Sequence, residues 1–330
     1  MENNTRHQHF LTQVEQRLNA MNPQADARNQ CIYSFLVTDR ENYTLQLESE
    51  KGMPIGKNLS LFDLFSFDVV DNSSLRANFE DAFQKYEASI EIHTKSLLTK
   101  LNARGGDAKA QVINLFAAKL LNLVRNPFSI QKVLNTFPCL ASMEPTDPGL
   151  LESYHRIVLG KKPHQAYLCS LLGISDRQYI EWLQVLFMLL VPLGDGHLPF
   201  FEQIIKGIFE NRKFSASVFV YEYDKHHCLL CDRGCNQPLP DDDKRLSLSF
   251  NLCSTAFIYY IFAEPREILK GRFPAEVIEK MLANYDRRPT VEVNVSYYRN
   301  DMEMLAKYNR HVIEYSYARV YCAVKDGLVL

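Results

Sequence analysis

The spacing of apolar residues changes character twice along this chain, and that double change constrains the fold more than any single motif. Behind an Asn72-Ser73-Ser74 cap candidate, Leu75, Phe79, Phe83, Tyr86, Ile90, Leu97 and Leu101 recur at three or four residues or a multiple, the spacing of one helix face. This predicts a long helix ending at Gly105-Gly106. A second follows from Ala108 to about Asn126, stopped by Pro127, and short helices broken by Pro and Gly continue to about Arg212. Before this stretch, Cys31–Val37 and Tyr43–Leu47 are β-branched and aromatic runs, which predict a hairpin. After it, Ala216–Tyr223, Leu246–Phe250 and Ala256–Phe262 read as strands.

The two ends add helices of their own. Phe10, Leu11, Val14 and Leu18 predict a short amphipathic helix from Thr5 to about Met21, with His7 and His9 in its first turn. Pro274 to about Asn284 reads as helix, Thr290–Val295 as extended, and Tyr297–Ala323 as a closing helix carrying Leu305, Tyr308, Val312 and Tyr315. The expected class is therefore α+β and predominantly helical: a central helical bundle with an N-terminal β-hairpin and a small C-terminal antiparallel sheet. Because strands lie on both sides of the bundle, residues 1–330 are expected to form a single interleaved domain. Its parts are 1–72 (short helix plus hairpin), 73–212 (helical bundle) and 213–330 (small sheet plus closing helix).

Composition narrows the class of function. A hydrophobic content of 46% over 330 residues supports a real core. The balance of 37 basic against 39 acidic residues leaves a formal charge of -2, so no whole-molecule field draws the chain to nucleic acid or anionic lipid. The apolar run Val185–Val191 stops at Pro192, well short of the roughly 20 residues that span a bilayer. Eight scattered cysteines and a polar opening point to reduced thiols in the cytoplasm, with no membrane partner.

Several short segments carry a family resemblance. Arg6-His-Gln-His9-Phe10-Leu11 is similar to the Asn-Gln-His-aromatic-Val-Pro opening of the bacterial domain-of-unknown-function family 4238 (DUF4238), with Thr12 in place of the proline. Arg125-Asn-Pro127 resembles that family's Arg-Thr-Pro helix ending. Cys231-Asp232-Arg-Gly234 resembles its Ser-Asp-Asn-Pro segment, with Arg233-Gly234 departing from the pattern, and Ala318-Arg319-Val-Tyr321 resembles the end of its closing helix. The resemblance singles out His9, Glu87, Arg125, Asp232 and Asn309 as site residues. The family carries no settled activity, so it informs the fold and the site more than the reaction.

Those five residues would supply a titratable base, two carboxylates, a fixed cation and an amide. If they converge, the mixture suits hydrolysis of a phosphodiester or related bond, with His9 or a carboxylate as base and Arg125 countering negative charge. The corresponding function is a hydrolase with a polar cleft, a nuclease or nucleotide-acting toxin or phage-defence effector, with nucleic acid or nucleotide as partner. The competing function is a non-catalytic helical protein–protein interaction module, in which Arg125 pairs with Glu87 or Asp232 and the rest cap backbone groups. No cofactor is named by the sequence. A divalent metal fits the donor types of His9, Glu87 and Asp232, and Cys228 and Cys231 have zinc-like spacing but lack the second pair that usually closes such a site. His7 and His9 would point roughly 200° apart in a helix. Tyr297, Tyr298, Tyr308, Tyr315, Tyr317 and Tyr321, interleaved with Arg299, Arg310 and Arg319, read mainly as core or interface, with base stacking as the alternative.

Overall fold

Strand Arg319–Cys322, near the C-terminus, runs antiparallel between Cys31–Asp39 and Leu230–Cys231, so three distant parts of the chain share one sheet. Thr44–Leu47 and Met53–Pro54, both paired with Cys31–Asp39, complete its five strands. The computed structural model describes residues 3, 5–69, 76–103, 106–194, 196–237, 244–271, 273–286 and 293–330.

A second sheet has the order Arg245–Cys253, Ala256–Ala263, Ser215–Glu222, Val293–Arg299. The first three are antiparallel neighbours, and Val293–Arg299 runs parallel to Ser215–Glu222. Side chains alternate between its two faces. Val218, Val220, Ile258, Tyr260 and Phe262 join the core shared with the helices, whereas Tyr221, Tyr223, Phe257 and Tyr259 join a second core. On the first face Phe116 of helix Lys109–Arg125 meets Tyr260 and Phe262 edge-on at 5.0 and 5.4 Å, and Tyr260 donates to the carbonyl of Val112 (2.9 Å). On the second, Tyr308 of helix Met302–Tyr315 stacks on Phe257 at 4.0 Å. Each such ring, fully buried, contributes about 2–3 kcal/mol.

This architecture corrects the expected class. Helix accounts for 45% and strand for 21% of the chain, with a five-stranded sheet and a four-stranded mixed sheet, so it is not a predominantly helical bundle with a small sheet. The reason is local. Strands of two to four residues, such as Leu230–Cys231 and Arg319–Cys322, are too short to show a period of two, and distant partners create them.

Three elements differ in the same way. Of the helix expected from Thr5 to Met21, only Gln13–Leu18 is helical, capped by the Thr12 hydroxyl, which accepts from Glu15 N (3.1 Å). His7–His9 is instead a strand antiparallel to Ser60–Phe62. The expected closing helix divides into Val293–Arg299, Met302–Tyr315 and Arg319–Cys322. Asn300, at φ 55°, turns the chain, and Asp301 caps the helix by accepting from Met304 N (3.0 Å). The long helix after Ser73 is Glu80–Glu87 and Ile90–Asn102, with its break at Ala88 and Ser89. The Asn72–Ser74 cap, the Gly105 stop, the 241–243 aspartates and Thr290 lie outside the described residues. The hairpin of Cys31–Asp39 with Thr44–Leu47 and the helix Lys109–Arg125 are present as expected. No helix among the described residues is long and apolar enough to cross a membrane.

Candidate functional site

Helices Gln13–Leu18, Glu80–Glu87, Ile90–Asn102 and Lys109–Arg125 pack in contact, and a row of polar side chains runs between them. Lys119, Asn122 and Arg125 are spaced three apart, which places them on one face of their helix. All three are buried. Lys119 pairs with Glu15 Oε2 (3.0 Å), Asn122 Nδ2 donates to Glu15 Oε1 (2.6 Å), and Arg125 Nη2 donates to Asn122 Oδ1 (3.0 Å). Arg125 Nη1 then pairs with Glu87, and its guanidinium lies over the Phe83 ring at 4.8 Å. Of the two pairings that the interaction-module reading offers Arg125, with Glu87 or with Asp232, the structure has the one with Glu87.

Glu80 lies seven residues before Glu87 on the same helix face. Its Oε1 and the Arg125 Nε are both buried and neither has a hydrogen-bond partner. Burial pushes the Glu80 carboxyl up to about 7; Glu87 and Asp81 add to the shift, and Arg125 opposes it. A carboxyl in that range exchanges its proton at neutral pH.

His9 stands at the edge of this row. Its Nδ1 lies 3.1 Å from the Asn58 carbonyl and its Nε2 lies 2.8 Å from Gln13 Nε2. The carbonyl can only accept and the amide nitrogen can only donate, so the pair selects the neutral tautomer with the proton on Nδ1. Burial lowers the His9 pKa to about 4 against the raising effect of the Asn58 carbonyl, with Arg125, His7 and Arg17 lowering it further. At neutral pH the group therefore combines a neutral imidazole, a carboxyl near its midpoint and a buried guanidinium–carboxylate pair.

Asp232 and Asn309 do not join it. The Asp232 carboxylate accepts the backbone N–H groups of Tyr317 (2.7 Å), Ala318 (2.7 Å) and Arg319 (2.8 Å). Burial raises its pKa, and those three amides pull it back. Asn126, the residue after Arg125, donates to the Asp232 carbonyl (2.9 Å), which ties helix Lys109–Arg125 to this segment. Asn309 accepts from Leu229 N (2.9 Å) and donates to Val329 O (2.9 Å), fastening the last residues to the sheet. These are structural clamps whose polar capacity is used internally.

Sequence reasoning missed Glu80, Glu15, Lys119 and Asn122. The available signal was the three-residue spacing of Lys119, Asn122 and Arg125 within an otherwise apolar helix. The metal reading of His9, Glu87 and Asp232 lacks its geometry, because Asp232 is committed elsewhere. Among the described residues no group of three His, Cys, Asp or Glu side chains is arranged to hold a metal ion. Cys228, Cys231 and Cys235 are buried thiols that burial pushes up, Cys235 to about 12. Compared with known proteins, the chain matches no family model, no curated protein and no solved structure.

Proposed function

We propose that the row of His9, Glu80, Glu87 and Arg125 is the acid–base centre of a hydrolase acting on a phosphodiester or nucleotide. Glu80 protonates the leaving oxygen, His9 Nε2 takes a proton from the attacking water once that water displaces the Gln13 amide, and Arg125 with Glu87 sets the local field against the developing negative charge. The observation that carries this reading is that two buried polar atoms of the row, Glu80 Oε1 and Arg125 Nε, have no hydrogen-bond partner. Buried groups of that kind cost about 1–3 kcal/mol each, a cost that a ligand or bound water offsets. The narrower form, a nuclease or nucleotide-acting toxin or phage-defence effector of DUF4238-like type, rests on the family resemblance alone.

One observation favours a second reading, a non-catalytic interaction module: Arg125 is only 1% exposed and already paired with Glu87. A panel of RNA, DNA and nucleotides, assayed with and without added divalent ions, separates the two. Cleavage by the wild type that is lost in a folded Glu80→Gln variant supports the hydrolase. No cleavage by the wild type under any condition favours the interaction module.

A further inference from the structure

His9 is tethered to a cation outside the four residues of the acid–base row. His9, Gln13 and Arg17 follow one another at four-residue steps, and Gln13 and Arg17 share a face of helix Gln13–Leu18. Their side chains form a chain of hydrogen bonds. Arg17 Nη2 donates to Gln13 Oε1 (2.6 Å), and Gln13 Nε2 lies 2.8 Å from His9 Nε2. A guanidinium can only donate, so Arg17 fixes the carbonyl end of the Gln13 amide toward itself and the amino end toward His9. The lone pair of His9 Nε2 is therefore occupied while Arg17 stays in place. All three residues are only partly buried, which leaves the chain open to a solute.

Arg17 is a cation without a counter-ion. Among the described residues its one hydrogen-bond acceptor is the neutral Gln13 amide, and no carboxylate pairs with it. Its Nε is buried with nothing to donate to. Glu15, two residues earlier in the same helix, is taken by Lys119 and Asn122, and Glu87 by Arg125. A position in the last turn of a helix accounts for a positive charge there, but not for the unused Nε. The edge of a guanidinium formed by Nε and Nη2 is a fork matched to two oxygens of one anion. Arg319 uses this edge to grip both oxygens of Glu48. In Arg17 the same edge holds a single amide oxygen.

We propose that this edge of Arg17 is the receptor for the substrate's phosphate, and that docking there frees His9 to act as base. The inference deepens the hydrolase reading and rests on it. A phosphate that draws Nη2 off the Gln13 oxygen removes the contact that orients the Gln13 amide, and His9 Nε2 then opens to water. No covalent bond changes in this step. One neutral acceptor is exchanged for a charged one that fills both prongs of the fork.

Nitrogen-15 NMR of the full chain, labelled at arginine and histidine and titrated with inorganic phosphate or dimethyl phosphate, tests it. At least one of the two is expected to give a saturable shift of Arg17 Nε, with His9 Nε2 shifting over the same concentrations. Response to dimethyl phosphate identifies a diester substrate, and response to inorganic phosphate alone a terminal phosphate. Arg17→Lys keeps the charge but lacks the fork, and should weaken binding by about tenfold. Gln13→Ala should still bind but uncouple the His9 signal, since nothing remains to be released. Arg28→Gln, which removes a charge from a side chain 84% exposed, should change neither response. No saturable shift up to about 10 mM of either anion, undiminished binding in Arg17→Lys, a His9 signal that stays still while Arg17 binds, or equal shifts with chloride would each overturn it. The readout needs no turnover, so the two readings fail separately. Cleavage by a protein whose Arg17 ignores phosphate would remove the receptor and keep the hydrolase. Coupled phosphate binding by a protein that cleaves nothing would keep the receptor and remove the hydrolase.

Discussion

Glu80 and Asp232 are both acidic side chains that burial pushes toward the protonated form, yet the fold treats them in opposite ways. On the sheet side, three backbone N–H groups converge on Asp232, and its carboxylate organises the segment that enters strand Arg319–Cys322. On the helix side, Glu80 has a buried oxygen with nothing to accept from, and the Arg125 Nε is likewise without an acceptor. The contrast separates two uses of a buried carboxyl. Where all its capacity is spent inside the protein, it holds the fold. Where the capacity is withheld, the fold bears the cost and the group remains available to a ligand or proton.

Substitution should break the comparison in both directions. The largest effect is expected at Asp232→Ala, which leaves three backbone donors without their acceptor and should cost about 4 kcal/mol in urea unfolding, at the upper end for a lost buried network. A loss under about 1 kcal/mol would show that water replaces the carboxylate and that Asp232 is no clamp.

Glu80→Gln should act with the opposite sign and only at higher pH. The folded protein holds the Glu80 proton up to about 7, above the ordinary 4.5 of the unfolded chain. Between those values the native state binds more protons, so stability falls as pH rises through that window. The variant removes the slope and should be more stable than wild type by about 3 kcal/mol at pH 8, and nearly equal to it at pH 4.5. Equal pH profiles for the two proteins would remove the electrostatic strain assigned to Glu80. His9 contributes the reverse slope, because its lowered pKa means that stability is lost as pH falls from 6.5 toward 4.

A smaller change is expected at Asn309→Ala, which frees Leu229 N and the carbonyl of Val329. The cost should be about 2 kcal/mol, with faster proteolysis of the last residues than in the wild type. Unchanged cleavage of that tail would mean that strand Arg319–Cys322 alone anchors the C-terminus.

The same two regions mark how far the sequence was legible. Helix Lys109–Arg125 and strands Ser215–Glu222 and Ala256–Ala263 could be read because each is long enough to repeat its own period. Arg319–Cys322 could not, since its partners lie near residues 33–36 and 230–231 and its four residues hold no pattern of their own. Arg125 was singled out by the resemblance of Arg125-Asn-Pro127 to a helix ending. Glu80 was not, because with Asp81 it occupies the first turn of its helix, where acidic residues are ordinary complements to the helix dipole. Asp232 was singled out by the resemblance of Cys231-Asp232-Arg-Gly234 alone, and the amides it serves lie more than eighty residues away.

The most direct test of the difference between the two carboxyls is the titration of Glu80 itself, followed by carbon-13 NMR of its labelled carboxyl in the folded protein. A midpoint near 7 is predicted, because the group is buried beside Glu87 with its oxygen unpartnered. A midpoint at the ordinary 4.5 would mean that Glu80 is solvated or fully paired, and the helix-side row would then be a structural ion-pair network like the clamps on the sheet side.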